Sequence, residues 1–419
     1  MFLIMKKKLL IINGAGASID FGMPSVKKID LLFNGWANDL FKLENNPKSN
    51  LYEWIKEKYN NYFKDRNLIN NGDNFENYLY IMSLLESALS KSDHWLYFSN
   101  RLKTFIKEFE ELPSIETFGN KFKIAESHDF HFLQSYLIDK LIEHFRVLCK
   151  GLEHLYQDEQ NLLKYFYKEL QDEFDIGVFN LNYDNVIIRN IPKLNTGFSN
   201  DTNQLERESL HSSDWGFCYH VHGSVHFDMI GGKDNTQMHK VNWNPDLSSQ
   251  FSQNSSGRNS NYTSEGTNSL MSSIIAGLGK TNQILREPFI QYYMTLDRRI
   301  YEADAILFIG YGFSDIHFNS LFEFIRFDEN KTRKVVILDY ADYDAPAFQE
   351  RNDSWKNGIS QTVPFNHYEI ERPLCFDVND FKKNESFEKN SNHEHPISIW
   401  YNGFLEACKN PKLIIKELI

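Results

Sequence analysis

Residues 9–25 read LLIINGAGASIDFGMPS, and the junction inside this stretch decides the fold. An aliphatic run ending at Asn13 shows no polar alternation. Such a run suits a strand buried on both faces of a parallel sheet. Gly14-Ala15-Gly16-Ala17-Ser18 follows at once. Glycine is needed at a strand end where the backbone must approach another group closely or adopt dihedrals that a side chain forbids. A strand end, a glycine turn and a following helix together present N–H groups and a positive helix end to a diphosphate. Gly14, Ala15, Gly16 and Ser18 are thus expected to cradle nucleotide phosphates. The dehydrogenase form of this turn has a third glycine where this chain has Ile19, and an acidic strand end about 20 residues later, which is missing here. Hydride transfer is disfavoured, and a tight turn holding no ligand stays open on this motif alone.

Working outward, residues 176–181, 305–309 and 335–338 are further short apolar runs, with 218–221 as a fifth candidate strand. Polar or glycine-rich turns follow them. Asn182 and Asp184 come after the second run, His222 and Gly223 after the run at 218–221, and Gly310, Tyr311, Gly312 and Asp315 after the run at 305–309. Ligands of open α/β sheets bind at the carboxyl ends of the strands, so these turns are expected to converge on one rim.

Between the first two strands, Phe75, Leu79, Met82, Leu85 and Leu89 recur at helical spacing, as do Phe130, Leu133, Leu137 and Leu141. This predicts a large helical insertion over about 40–172, in which Tyr78 and Tyr80 serve packing. Residues 245–270 are rich in Ser and Asn and read as a mobile loop. An amphipathic helix follows from Phe289 to Ala303, with Pro288 near its first turn. The tail from 341 to 419 reads as an appendage or as a contact for an oligomer or a partner.

Composition narrows the function. A formal net charge of −12 argues against wrapping duplex DNA, which needs clustered Lys and Arg, and no sequence-specific nucleic-acid binding is expected. Cys149, Cys218, Cys375 and Cys408 form no C-x-x-C pair, so no zinc ribbon is expected and a reducing, cytoplasmic location fits. The apolar part of the N-terminal segment is too short for a signal peptide, and no run approaches the length needed to span a bilayer.

Gly-Ala-Gly-Ala-Ser-x-x-x-Gly-Met-Pro, then Asn-x-Asp, His-Gly and Gly-Tyr-x-x-x-Asp in that order, resembles the sirtuin-like group. It is similar to its divergent bacterial branch, which serves as NAD+-degrading effectors in anti-phage defence. The resemblance covers residues 8–30, 176–228 and 285–340. It implies a Rossmann-like parallel sheet of sirtuin type over 1–340, with NAD+ as ligand. It also implies a homo-oligomer or a partner such as a HerA-like hexameric ATPase. Ser25, Val26 and Lys27 replace the Asp-Phe-Arg of protein deacetylases, the zinc cysteines are missing, and Asn180 stands where threonine is usual.

The chemistry so implied is cleavage of the nicotinamide–ribose bond, whose transition state resembles an oxocarbenium ion. Asn182 supplies an amide for a ribose hydroxyl or the attacking water. His222 is a candidate general base. The resemblance gives these two positions the catalytic roles. Pro24, Asp184, Gly223, Gly310, Tyr311, Gly312 and Asp315 are expected to line the nucleotide, and Asp339 to accept from the adenosine ribose. Asp315 can equally cap the helix that follows it. His220, His222 and His226 share one parity, which permits a metal reading, although Gly223-Ser224 ends the strand between them. An NAD+ or ADP-ribose sensor without catalysis and a protein deacylase remain the alternatives to an NAD+ glycohydrolase.

Overall fold

A single rung collects the carboxyl ends of six parallel strands. The computed structural model of the chain describes residues 6–66, 74–90, 100–117, 121–230, 240–249, 256–262, 268–277, 280–326, 331–341, 351, 353–363, 382–384, 386–390 and 396–419. Its main sheet contains β1 (Lys7–Asn13), β2 (Phe174–Asn180), β3 (Phe217–His220), β4 (Ala305–Ile309), β5 (Lys334–Leu338), β6 (Lys382–Asn384), β7 (Phe387–Lys389) and β8 (Ile397–Trp400). The spatial order is β6-β7-β8-β5-β4-β1-β2-β3. From β8 to β3 the strands are parallel, while β7 and β6 pair antiparallel at the far edge.

Register fixes the rim. Asn13 lies opposite both Ile309 and Asn180, Asn180 opposite His220, Ile309 opposite Leu338, and Leu338 opposite Trp400. Main-chain bonds carry the ladder one residue further. Val221 donates to Asn180, Leu181 to Asn13, Gly14 to Ile309, Gly310 to Leu338 and Asp339 to Trp400, all at 2.8–3.0 Å. Every turn singled out in the sequence therefore leaves the sheet from the same line. The five expected runs are β1 to β5, each within two residues of its expected bounds.

The chain divides into two compact units. One comprises Met1–Met23, Leu148–Ser224 and Pro288–Ile419, and holds the main sheet. Around that sheet lie α1 (Gln157–Glu173), α2 (Phe289–Glu302), α3 (Ile316–Ser320), α4 (Phe404–Lys409) and α5 (Pro411–Leu418). The central strands are buried along their length, as expected when both faces are covered. Contrary to the expected appendage, the tail is part of this unit. β8 pairs with β5, and Ile397, Ile399, Trp400, Ile414 and Leu418 are buried.

The other unit comprises Pro24–Val147 and Val225–Glu287. Its core is aromatic: Phe33 meets Tyr52 and Phe75 edge-on, and Tyr78 meets Tyr52 and Tyr59. Asn50 and Asn74 cap the helices Leu51–Asp65 and Phe75–Leu89 through their side-chain oxygens. Leu133, Leu137 and Leu141 are buried as the periodicity requires. The insertion is not purely helical, because Phe41–Leu43, Ser114–Thr117 and Lys123–Ile124 form a small antiparallel sheet. Within the stretch read as a loop, Ser256–Tyr262 and Asn268–Met271 pair as antiparallel strands; 250–255 and 263–267 lie outside the described residues. Among the described residues, no helix is long and apolar enough to cross a membrane.

Candidate active site

The opening glycines meet a neighbouring strand end before they meet any ligand. A Cβ on Gly14 would lie 2.6 Å from the Gly310 carbonyl oxygen, and one on Gly16 2.7 Å from the Gly310 Cα. Gly310 has φ +56°, and a Cβ there would lie 2.3 Å from the Ala17 amide nitrogen. Close backbone packing between the turns after β1 and β4 thus demands all three glycines. Gly14 N–H donates to Ile309, Gly16 to Gly310, Ala17 to Gly14 and Ser18 to Ala15. Those amides are engaged, and exposed Ala15 forms the open tip of the turn. No α-helix starts here. Two 3-10 turns, Ala15–Ala17 and Ile19–Phe21, follow the glycines, and the first α-helix is Val26–Asn38. The expected positive helix end behind the phosphates is therefore replaced by short turns.

Asn182, two residues past β2, reaches this turn directly. Its Nδ2 donates to the Gly14 carbonyl at 2.8 Å and to the Ser18 Oγ at 3.0 Å. The Ser18 hydroxyl in turn donates to Asp184, which also accepts from the Val186 amide at 3.0 Å. Asp184 is fully buried, and burial pushes its carboxyl up to about 6 against the pull of these donors. Ser18 and Asp184, expected as ligand contacts, form with these polar groups the strut that locks Asn182 onto the turn. What Asn182 retains for a ligand is its carbonyl oxygen.

His222 stands two residues past β3, before Gly223 at φ +98°. Its Nε2 is 3.1 Å from Asp315 Oδ2 and 3.4 Å from the Tyr293 hydroxyl. The loop into β3 is pinned by Arg299 of α2, which donates to the carbonyls of Ser212, Ser213 and Asp214. Burial, with Asp315 nearby, raises the Tyr293 phenol, so it stays neutral. Tyr293 carries no motif signal. It follows the buried Tyr292 of the α2 stripe, and only the tertiary structure brings its hydroxyl to His222.

The other expected positions divide. Asp315 caps α3 by accepting from the Phe318 amide at 3.1 Å while its second oxygen faces His222. The Tyr311 ring packs on Phe308 and Phe313, and its hydroxyl donates to Asn319 at 2.6 Å, so it serves the core. A Cβ on exposed Gly312 would meet nothing within 4 Å. Asp339 leaves β5 on the shared rung but pairs with Arg351. Asp20 accepts from the Leu405 amide at 3.2 Å near the start of α4. Pro24 is buried and falls in the other unit.

The histidine trio does not act as one face. β3 ends at His220, which sits 3.4 Å from the Asn180 amide, whereas His226 is stacked on Trp243 with Nδ1 2.7 Å from the Asn244 carbonyl. Burial lowers His226 to about 4. Among the described residues, one grouping could hold a metal, Glu126, His128 and Asp129. The Lys123 ammonium already lies 2.9 Å from Asp129 and 3.6 Å from Glu126. Cys149, Cys218 and Cys408 are buried free thiols; Cys375 lies outside the described residues.

A glycine turn, an amide locked to it and a histidine paired with a carboxylate thus share one strand-end rim. No curated protein matches the chain. The family model described as SIR2-like domain matches residues 177–358, from within β2 to beyond β5, taking in Asn182, His222, Gly310 and Asp315. Over that segment the chain is similar to the SIR2-like domain, in line with the resemblance read from its motifs.

Proposed function

We propose that the protein is an NAD+ glycohydrolase, releasing nicotinamide and ADP-ribose. The observation that carries this reading is the bond from Asn182 Nδ2 to the Gly14 carbonyl. It joins the expected catalytic amide to the expected diphosphate turn within one unit, while His222 leaves the same rung two strands from β1. The C1′–N1 bond breaks with its electron pair leaving on nicotinamide, which departs neutral. A water oxygen bonds to C1′, and its proton passes to His222. Such a leaving group needs little acid catalysis, so the site's task is to position the ribose, exclude bulk water and hold a base. The Asn182 carbonyl oxygen accepts from the ribose or the water. On its motif resemblance, we further propose a regulated effector that depletes NAD+ in anti-phage defence, silent until it assembles with itself or with a HerA-like ATPase.

The test is nicotinamide release from NAD+ by the purified protein, alone and with the product of a neighbouring gene. Release is expected in at least one assembly state, with Asn182→Ala and His222→Ala each losing about 10²-fold or more. Absence of release in every state, or full turnover by Asn182→Ala, rejects the hydrolase. Saturable calorimetric binding with NAD+ recovered intact then supports the sensor.

A further inference from the structure

Asp315 and His222 meet although their strands are not neighbours. β1 and β2 lie between β4 and β3, and three strand spacings amount to roughly 14 Å. The two loops must therefore lean toward each other across the strand ends that carry Gly14 and Asn182. Both side chains are more than nine-tenths buried, at 7% and 8% exposure. A contact formed across that span, in that degree of burial, fixes both loops at once.

The hydrogen-bond chemistry is asymmetric. An ionised carboxylate only accepts, and a neutral imidazole has one N–H and one lone pair. With Asp315 Oδ2 3.1 Å from His222 Nε2, the proton of the neutral ring belongs on Nε2 and the lone pair on Nδ1. The other carboxylate oxygen is held by the Phe318 amide at 3.1 Å. α3 is itself anchored to the turn after β4, because Asn319 donates to the Phe313 carbonyl at 2.8 Å and accepts from the Tyr311 hydroxyl at 2.6 Å. The carboxylate cannot turn without disturbing the cap.

We propose that Asp315 is a positioning residue for NAD+ cleavage, which holds His222 as the Nε2–H tautomer and presents Nδ1 as the base. This rests on the reading of His222 as the base of the proposed hydrolase. It also assigns the aspartate of the Gly-Tyr-x-x-x-Asp segment to the histidine rather than to the nucleotide. The Tyr293 hydroxyl lies 3.4 Å from the same nitrogen and, with Nε2–H, is placed as a second, weaker acceptor.

The test substitutes Asp315→Asn, which retains an acceptor suited to capping α3 but removes the charge and offers Nε2 a donor. Two readouts are taken. In nicotinamide release, kcat is expected to fall about 10²-fold while KM for NAD+ changes less than about threefold. In nitrogen NMR of histidine-labelled full-length protein, with His222→Gln identifying the signal, the wild type is expected to show the Nε2–H pattern and the variant to lose it. The melting temperature serves as the control for folding. Equal kcat in the two proteins, an Nδ1–H pattern in the wild type, or an unchanged His222 signal in the variant overturns the proposal. If the wild type cleaves no NAD+, the hydrolase reading fails, and the nitrogen spectrum still decides whether Asp315 sets the tautomer.

Discussion

Asp184 shows how a residue chosen for chemistry can carry a structural load with a pH signature. Its carboxyl titrates near 6 in the fold because burial outweighs the donors around it, against about 3.9 in an unfolded chain. Between those values the folded state keeps a proton that the unfolded state has released. Stability from this group is therefore full below pH 4 and falls as pH rises to about 6. Two pH units correspond to about 3 kcal/mol. Asp184→Asn is neutral throughout, so relative to wild type it is expected to gain about that much between pH 4 and pH 7, as read by urea denaturation at each pH. A constant difference between the two proteins across the range would refute the assignment. The residue identities at this rim were legible because glycine, asparagine and histidine after apolar runs mark strand ends. The direction of each polar atom was not. Whether the Ser18 hydroxyl faces a phosphate or Asn182, and whether Tyr293 reaches His222, depends on packing between segments far apart in the chain.

At the scale of elements, β1 to β5 were readable from short aliphatic runs, and the tail was not. The run ISIW is only four residues long, and its place beside β5 is set by tertiary pairing. The decision has energetic weight. Burying Ile397, Ile399, Trp400, Ile414 and Leu418 contributes about 1.5–3 kcal/mol each, a sum comparable to the whole net stability of a typical domain. Ser398 and Lys389 also hold Glu417 of α5, at 2.8 and 2.7 Å. Truncation after residue 395 is therefore expected to give insoluble or unfolded protein, judged by recovery and circular dichroism. A truncated chain that stays folded and merely changes its oligomeric state would restore the appendage reading.

Each of the two units is assembled from separate stretches of the chain, and this is what periodicity could not foresee. Local spacing finds helices in the insertion, but the grouping of 24–147 with 225–287 depends on contacts between segments separated in the chain by β2 and β3. Net charge, in contrast, is legible from composition and has a consequence for the proposed reaction. The chain carries −12, and NAD+ is itself an anion at neutral pH. The acids emerging at the strand-end rim are Asp184 and Asp315, with Asp339 offset by Arg351, and Asp20 lies just beyond the first turn. Long-range electrostatics therefore opposes the encounter, and salt relieves that opposition by screening it. Raising ionic strength from about 20 to about 200 mM is expected to leave kcat/KM for NAD+ level or raise it by up to about threefold. An enzyme that gathers dinucleotide with a basic surface shows the opposite trend, because counterions compete for its lysines and arginines. The measurement is initial nicotinamide release at subsaturating NAD+ over a salt series in the active assembly state. A steep fall with salt would reveal a cationic funnel and displace the account of recognition by backbone turn, amide and histidine.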